Sequence, residues 1–145
     1  MKLLIQRCLR AQVLVDHETI GQIQRGLAVF IGVASGDTPE VARKLAAKVA
    51  ALRIFSNHEG RFDLCLEQVG GSVLLVSNFT LCGDARKGTR PSFSGAARPE
   101  EAQVLVESFA TLLREQGLEV ATGRFGADMQ VLVENDGPVC LLLES

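Results

Sequence analysis

The sequence predicts an α+β domain over residues 1–145, with a mostly antiparallel, barrel-like sheet and two amphipathic helices against it. Three observations carry this. Four strand-like runs crowd the first third, with only short connections between them. Two later segments repeat apolar residues at helical spacing behind a proline-led start. Close to residue 140 the strand pattern returns on both sides of Asn135-Asp136-Gly137-Pro138, strong turn chemistry.

In chain order, the first strands are Leu3 to Cys8, Ala11 to Val15, Glu18 to Gln22 and Leu27 to Val33, with Asp16-His17 and Arg25-Gly26 as connections. Val13 and Val15 share one face and Leu14 takes the other, as period two requires. Leu27 to Val33 is apolar on both faces, which places it centrally in a sheet. Thr38-Pro39-Glu40 starts a helix: a hydroxyl cap, a proline where no amide donor is needed, and an acid at the positive end of the dipole. Val41, Leu45, Val49 and Leu52 then recur on one face. Gly70-Gly71-Ser72 leads into the buried strand Val73 to Val76. The next segment, Gly83 to Ala97, is a loop of Gly, Arg, Ser and Pro, at a length where structureless loops are often functional. The second helix starts at Pro99-Glu100-Glu101, turns Ala102, Leu105, Phe109 and Leu112 inward and stops at Gly117. Met129 to Glu134 and Val139 to Leu143 complete the strands. Both helices read as cover for the sheet, without chemistry of their own.

Composition narrows the function. A chain of 145 residues with 47% hydrophobic residues can build a core, burying roughly 68–70% of its unfolded surface. No apolar run approaches a membrane span, and Met1-Lys2-Leu3-Leu4-Ile5-Gln6-Arg7 turns polar too soon for a signal peptide, so a cytoplasmic protein is expected. Cys8, Cys65, Cys82 and Cys140 stand singly, and the only histidines are His17 and His58. Four reduced, mostly buried thiols and no metal or other cofactor are expected. A net charge of −2 disfavours holding long nucleic acid by an overall field, though not gripping one RNA end. With seven Phe and no Trp or Tyr, base stacking would fall to Phe or Arg.

Three segments could carry chemistry, and for each the residues alone leave two roles open. Ser77-Asn78-Phe79-Thr80-Leu81 leaves a buried strand with small hydroxyls, an amide and free backbone N–H groups. It could bind an ester carbonyl or base edge, or be a polar strand end in which Asn78 opens a turn. Arg86-Lys87-Gly88-Thr89-Arg90 sets three cations beside Pro91-Ser92-Phe93, for RNA phosphates or for solvent. Gly137-Pro138 is hairpin punctuation, or a cis bond aiming neighbouring carbonyls together at an ammonium group. Two histidines make a Ser–His–Asp triad improbable.

Together these segments resemble the D-aminoacyl-tRNA deacylase family. The matching runs are Val76-Ser77-Asn78-Phe79-Thr80-Leu81, Arg86-Lys87-Gly88-Thr89-Arg90-Pro91-Ser92-Phe93, Thr122-Gly123-Arg124-Phe125-Gly126-Ala127-Asp128-Met129 and Asn135-Asp136-Gly137-Pro138-Val139, with Gln6-Arg7 and Leu52-Arg53-Ile54-Phe55 fitting as well. The similarity runs end to end and in order. Asn78 stands where the family usually has Gln, and Cys140 where it usually has Thr.

The resemblance implies a cofactor-free homodimer that hydrolyses the ester between a D-amino acid, or mischarged glycine, and the terminal adenosine of tRNA. It implies Ser77, Phe79 and Thr80 as catalytic candidates and Asn78, Met129, Gly137, Pro138 and Arg7 as substrate-binding ones. The Gly137-Pro138 carbonyls would take the α-ammonium in the partner subunit's pocket, with Arg7 bracing that loop. Arg86, Lys87 and Arg90 are the tRNA-contact candidates. Such chemistry asks the protein mainly to orient an activated ester and stabilise an oxyanion. Two rivals stand beside this reading: a noncatalytic binder of an RNA end, and a small-ester hydrolase with a Thr or Cys nucleophile.

Overall fold

A computed structural model describes residues 1–145, and its architecture is organised by the first strand. β1 (Lys2–Val15) runs unbroken through the region that the alternation divides into Leu3 to Cys8 and Ala11 to Val15. The division marks a change of face. Leu3 and Ile5 join the larger core cluster, whereas Cys8, Ala11 and Val13 join a second one. The register against the last strand slips on both sides of Cys8, as at a β-bulge, and Leu9 and Arg10 just beyond it are exposed.

β2 (Glu18–Ile23) pairs antiparallel with the second half of β1, and β3 (Gly26–Gly32) with the first half. The tight β1–β2 turn places Asp16 and His17 at positive φ. β3 is buried on both faces, Leu27, Val29 and Ile31 in the larger cluster and Ala28 in the smaller. α1 (Pro39–Ala51) follows, with the Thr38 side chain accepting the Val41 amide at 3.4 Å and Pro39 in its first turn. The short ribbon of β4 (Phe55–Ser56) and β5 (Phe62–Leu64) leads to β6 (Ser72–Ser77). α2 (Pro99–Glu115) buries Leu105, Phe109 and Leu113, with Ala102 and Leu112 half-buried, and ends before Gly117 at φ +82°. β7 (Val120–Thr122) and β8 (Gln130–Glu144) complete the chain.

The six-stranded sheet runs β2-β1-β3-β6-β7, with β8 along the other side of β1. It is mixed: the three pairings that β1 makes, with β2, β3 and β8, are antiparallel as expected, and β3–β6 and β6–β7 are parallel pairs. Their crossovers contain α1 and α2, the strand–helix–strand connection that parallel neighbours need. The outer strands nearly close a barrel. A Cβ on Gly21 of β2 would lie 2.6 Å from the Thr122 carbonyl oxygen of β7, so only glycine lets these backbones approach. Both helices cover one sheet face, where Leu45, Val49 and Phe109 meet Ile5, Val29 and Leu75. Neither helix is long and apolar enough to cross a membrane.

A correction concerns Asn135-Asp136-Gly137-Pro138, which joins no hairpin. Both flanking segments belong to β8 and pair with the same strand, β1. Cys8 faces Asn135 and Gln6 faces Cys140, so β8 carries surplus residues that must loop out. The thiols also divide unevenly: Cys8 and Cys82 are buried, Cys65 is half-buried and Cys140 is exposed.

Candidate active site

β6 delivers its last residue, Ser77, to the mouth of a cavity of about 690 Å³. There the chain stops pairing as a strand. The Asn78 amide still donates to the Ile31 carbonyl at 2.8 Å, and residues Phe79–Cys82 then coil into a 3₁₀ turn. Asn78 causes the turn. Its Oδ1 accepts the Thr80 amide at 3.2 Å and the Thr80 hydroxyl at 2.5 Å, a side-chain cap on a strand exit.

Ser77, Asn78 and Phe79 line the cavity together with Met129, which the sequence also nominates. Phe30, Val76 and Val131 come from the sheet, Pro99, Ala102 and Val106 from the start of α2, and Ala96, Ala97, Phe125 and Ala127 from loops. The lining is mostly apolar, with the few polar groups concentrated on the β6 exit. That is the usual make-up of a small-molecule site, in which apolar walls hold a ligand and sparse polar groups orient it. Phe125 was present only within a matched run. Ala96, Ala97 and Val106 carry no signal in sequence beyond ordinary packing.

Thr80 lies just outside this lining and is exposed. Its hydroxyl proton goes to an amide oxygen, which cannot serve as a general base at neutral pH.

The loop Gly83 to Ala97 is tied down at both ends. Asp84 and Ser92 exchange backbone hydrogen bonds at 2.7 and 2.9 Å, and the Ala97 amide reaches the Val33 carbonyl at 3.0 Å. Arg86, Lys87 and Arg90 sit exposed at its tip. Arg86 is not free: its guanidinium forks onto Asp84 at 2.9 and 2.7 Å and holds that carboxyl well below the usual carboxylate range.

Gly137 and Pro138 are exposed, are joined by a cis peptide bond and do not line the cavity of their own chain. The loop is gathered at its base by Asn135, whose Nδ2 donates to the Arg7 carbonyl at 2.9 Å and the Val139 carbonyl at 3.1 Å. Arg7, 7% exposed, runs beneath it. Its Nη1 donates to the Ile54 carbonyl at 2.6 Å, and its Nε lies 2.9 Å from Asp136 Oδ2, a charge contact off the hydrogen-bond axis. Its guanidinium carbon stands 5.3 Å from the centre of the Phe62 ring. Cys140 joins this network loosely, 3.4 Å from Gln6 Nε2 and 3.9 Å from Asn135 Oδ1.

A mixed, nearly closed sheet with a polar strand exit opening on an apolar cavity is the make-up of a ligand-binding or catalytic site. The chain belongs to the D-Tyr-tRNA(Tyr) deacylase family, whose model matches residues 4–144. It is 54% identical over 145 residues to the D-aminoacyl-tRNA deacylase of Anaeromyxobacter dehalogenans, covering 100% of this chain and 97% of the relative. It is 52% identical to that of Halalkalibacterium halodurans, covering 100% and 99%. Among solved structures it is similar to the c-Myc DNA Unwinding Element Binding Protein, with TM-score 0.94, 37% identity and coverage of 100% and 99%. A probable eukaryotic D-amino acid tRNA deacylase shares the fold at TM-score 0.86 and 17% identity, covering 98% and 97%.

Proposed function

We propose that this chain hydrolyses the ester bond of D-aminoacyl-tRNA, releasing free amino acid and tRNA. The observation that carries the reading is the Ser77–Asn78–Phe79 exit of β6 at the mouth of an apolar cavity, in a chain of this family. The terminal adenosine enters the cavity among Phe125, Met129 and Val106, while the ester lies against the polar exit. As first residue of the 3₁₀ turn, Phe79 has no intrahelical acceptor for its amide, which can donate to the developing oxyanion. The attacking water is assisted by the neighbouring ribose hydroxyl of the RNA, so no side-chain base is required. Thr80 positions the Asn78 amide and takes no acyl group.

The reading includes a homodimer. Gly137 and Pro138 are exposed and take no part in lining their own cavity, which leaves them free to enter a partner's. There their carbonyls take the substrate ammonium, so that an L side chain collides with the loop while a D side chain or glycine does not. Lys87 and Arg90, exposed and outside the Asp84–Arg86 pair, are available to RNA phosphates.

The test is a deacylation assay with matched D- and L-aminoacyl-tRNA. Hydrolysis of the D-ester with the L-ester spared is expected. A protein that binds D-aminoacyl-tRNA and leaves it intact would be a noncatalytic RNA-end binder. A covalent acyl-enzyme caught by mass spectrometry would instead identify a Thr or Cys nucleophile.

A further inference from the structure

Two phenylalanines meet at the rim of the cavity in an unusual setting. Phe79 is 60% exposed and Phe93 37%, although apolar rings of this size are ordinarily sheltered. Their ring centres are 5.1 Å apart and their planes cross at 69°, an edge-to-face contact, and the exposure of both rings leaves aromatic surface open to solvent. Phe79 belongs to the cavity lining; Phe93 does not.

Phe93 is held firmly for an exposed residue. It follows Ser92, locked to Asp84 by the two backbone hydrogen bonds, and its own carbonyl accepts the Ala96 amide at 3.0 Å. Its ring lies against Gly83, where a Cβ would stand 2.8 Å from Phe93 Cε1. The same loop carries Lys87 and Arg90, exposed and outside the Asp84–Arg86 pair. A fixed aromatic face beside exposed cations, adjoining a ligand cavity, is the arrangement that binds unpaired nucleotides: rings stack on bases while cations follow the phosphates.

We infer that Phe93, braced on Phe79, is a stacking platform for the unpaired base that precedes the terminal adenosine of the substrate RNA. This rests on the reading above for what fills the cavity, and adds a second nucleotide outside it. Phe93 is a positioning residue: it fixes the strand's direction and thereby the terminal ester, touching neither ester nor adenosine.

The experiment uses the full chain and two inert probes, each carrying D-alanine through an amide in place of the ester. One is 3′-amino-adenosine alone; the other is a minihelix RNA with an unpaired 3′ strand and 2-aminopurine at the penultimate position. Phe93→Leu keeps apolar bulk and removes the π-face. It is expected to weaken minihelix binding about 5- to 30-fold, to abolish quenching of 2-aminopurine, and to leave adenosine-probe binding unchanged. Phe93→Trp should restore both binding and quenching. Unchanged minihelix binding in Phe93→Leu, or equal losses on both probes, would overturn the platform. Failure of the wild-type protein to hydrolyse D-aminoacyl-tRNA bears on the catalytic reading instead, because the platform is judged by binding and fluorescence alone.

Discussion

Arg7 and Asp136 join the first and last strands at the base of the Gly137-Pro138 loop, Arg7 Nε lying 2.9 Å from Asp136 Oδ2. The arginine side chain is nearly sealed, at 9% exposure, whereas the aspartate side chain keeps 33%. Arg7 also holds the Ile54 carbonyl and packs against Phe62, so three separated segments converge on one guanidinium.

Removing either charge should therefore have unequal effects. Arg7→Leu strands the Ile54 carbonyl and leaves Asp136 without its cation; a loss of about 3 kcal/mol is expected in urea unfolding, with a severe fall in deacylation. Asp136→Asn keeps an oxygen near Arg7, and should cost about 1–2 kcal/mol while reducing activity less. Equal effects from the two substitutions would mean that the contacts of Arg7 with Ile54 and Phe62 add nothing to the ion contact.

Thr80→Ala should retain turnover within about tenfold of wild type, because its hydroxyl only donates to Asn78. Asn78→Ala removes the acceptor that folds the 3₁₀ turn. It should cost about 1 kcal/mol in stability and lower turnover further than Thr80→Ala does. Single-turnover deacylation on both variants tests this; background activity in folded Thr80→Ala would restore a nucleophilic role.

RNA binding should respond only modestly to salt. Three cations at the loop tip suggest three phosphate contacts, but Asp84 occupies Arg86 and leaves Lys87 and Arg90. By the single-strand rule, two contacts give a log–log slope of roughly −1.4. Lys87→Gln with Arg90→Gln should flatten the slope, whereas Arg86→Gln should change it little. A slope several-fold steeper would reveal a wider footprint.

Alkaline stability should depend on Cys8. Burial pushes its thiol up to about 11. Unfolding releases a thiol that ionises near 9.0, so the fold's advantage is complete below that pH and declines as pH rises toward 11. One such group gives a slope of up to about 1.4 kcal/mol per pH unit in that window. Burial also raises the Cys82 thiol, so Cys8→Ala should reduce the decline without abolishing it. Urea midpoints at pH 8, 9.5 and 11 measure the difference; the chain has no Tyr to titrate in the same range.

Locally encoded features were the legible ones. Thr38-Pro39 marks the start of α1 because a cap acts within one turn, and Leu27 to Val33 reads as central because both its faces are apolar. Pairing partners are non-local, so no single segment marks β3, β6 and β7 as parallel, although strand–helix–strand order is their trace. β7, with three residues, is too short for periodicity to register. Asn135-Asp136-Gly137-Pro138 is legible as a break in the strand pattern, but its turn chemistry reads as a hairpin that does not form. Only the shared partner β1 shows that the chain leaves and rejoins one strand. The polar exit at Ser77–Phe79 stood out after a buried apolar run, but Ala96, Ala97 and Val106 became visible as cavity wall only in three dimensions.

The double use of β1 also orders events during synthesis. One of its edges can be taken up as soon as β2 and β3 emerge, by contacts local in sequence. Its other edge waits for β8, more than a hundred residues later, and until then offers a long row of unpaired amides and carbonyls to any extended neighbour. A ribosome stalled before β8 would thus hold a chain whose β6 exit can already form, but with a sticky open strand where the Gly137-Pro138 loop belongs. The nascent protein should need a chaperone most at that stage, and the loop should be the last part of the site to take shape.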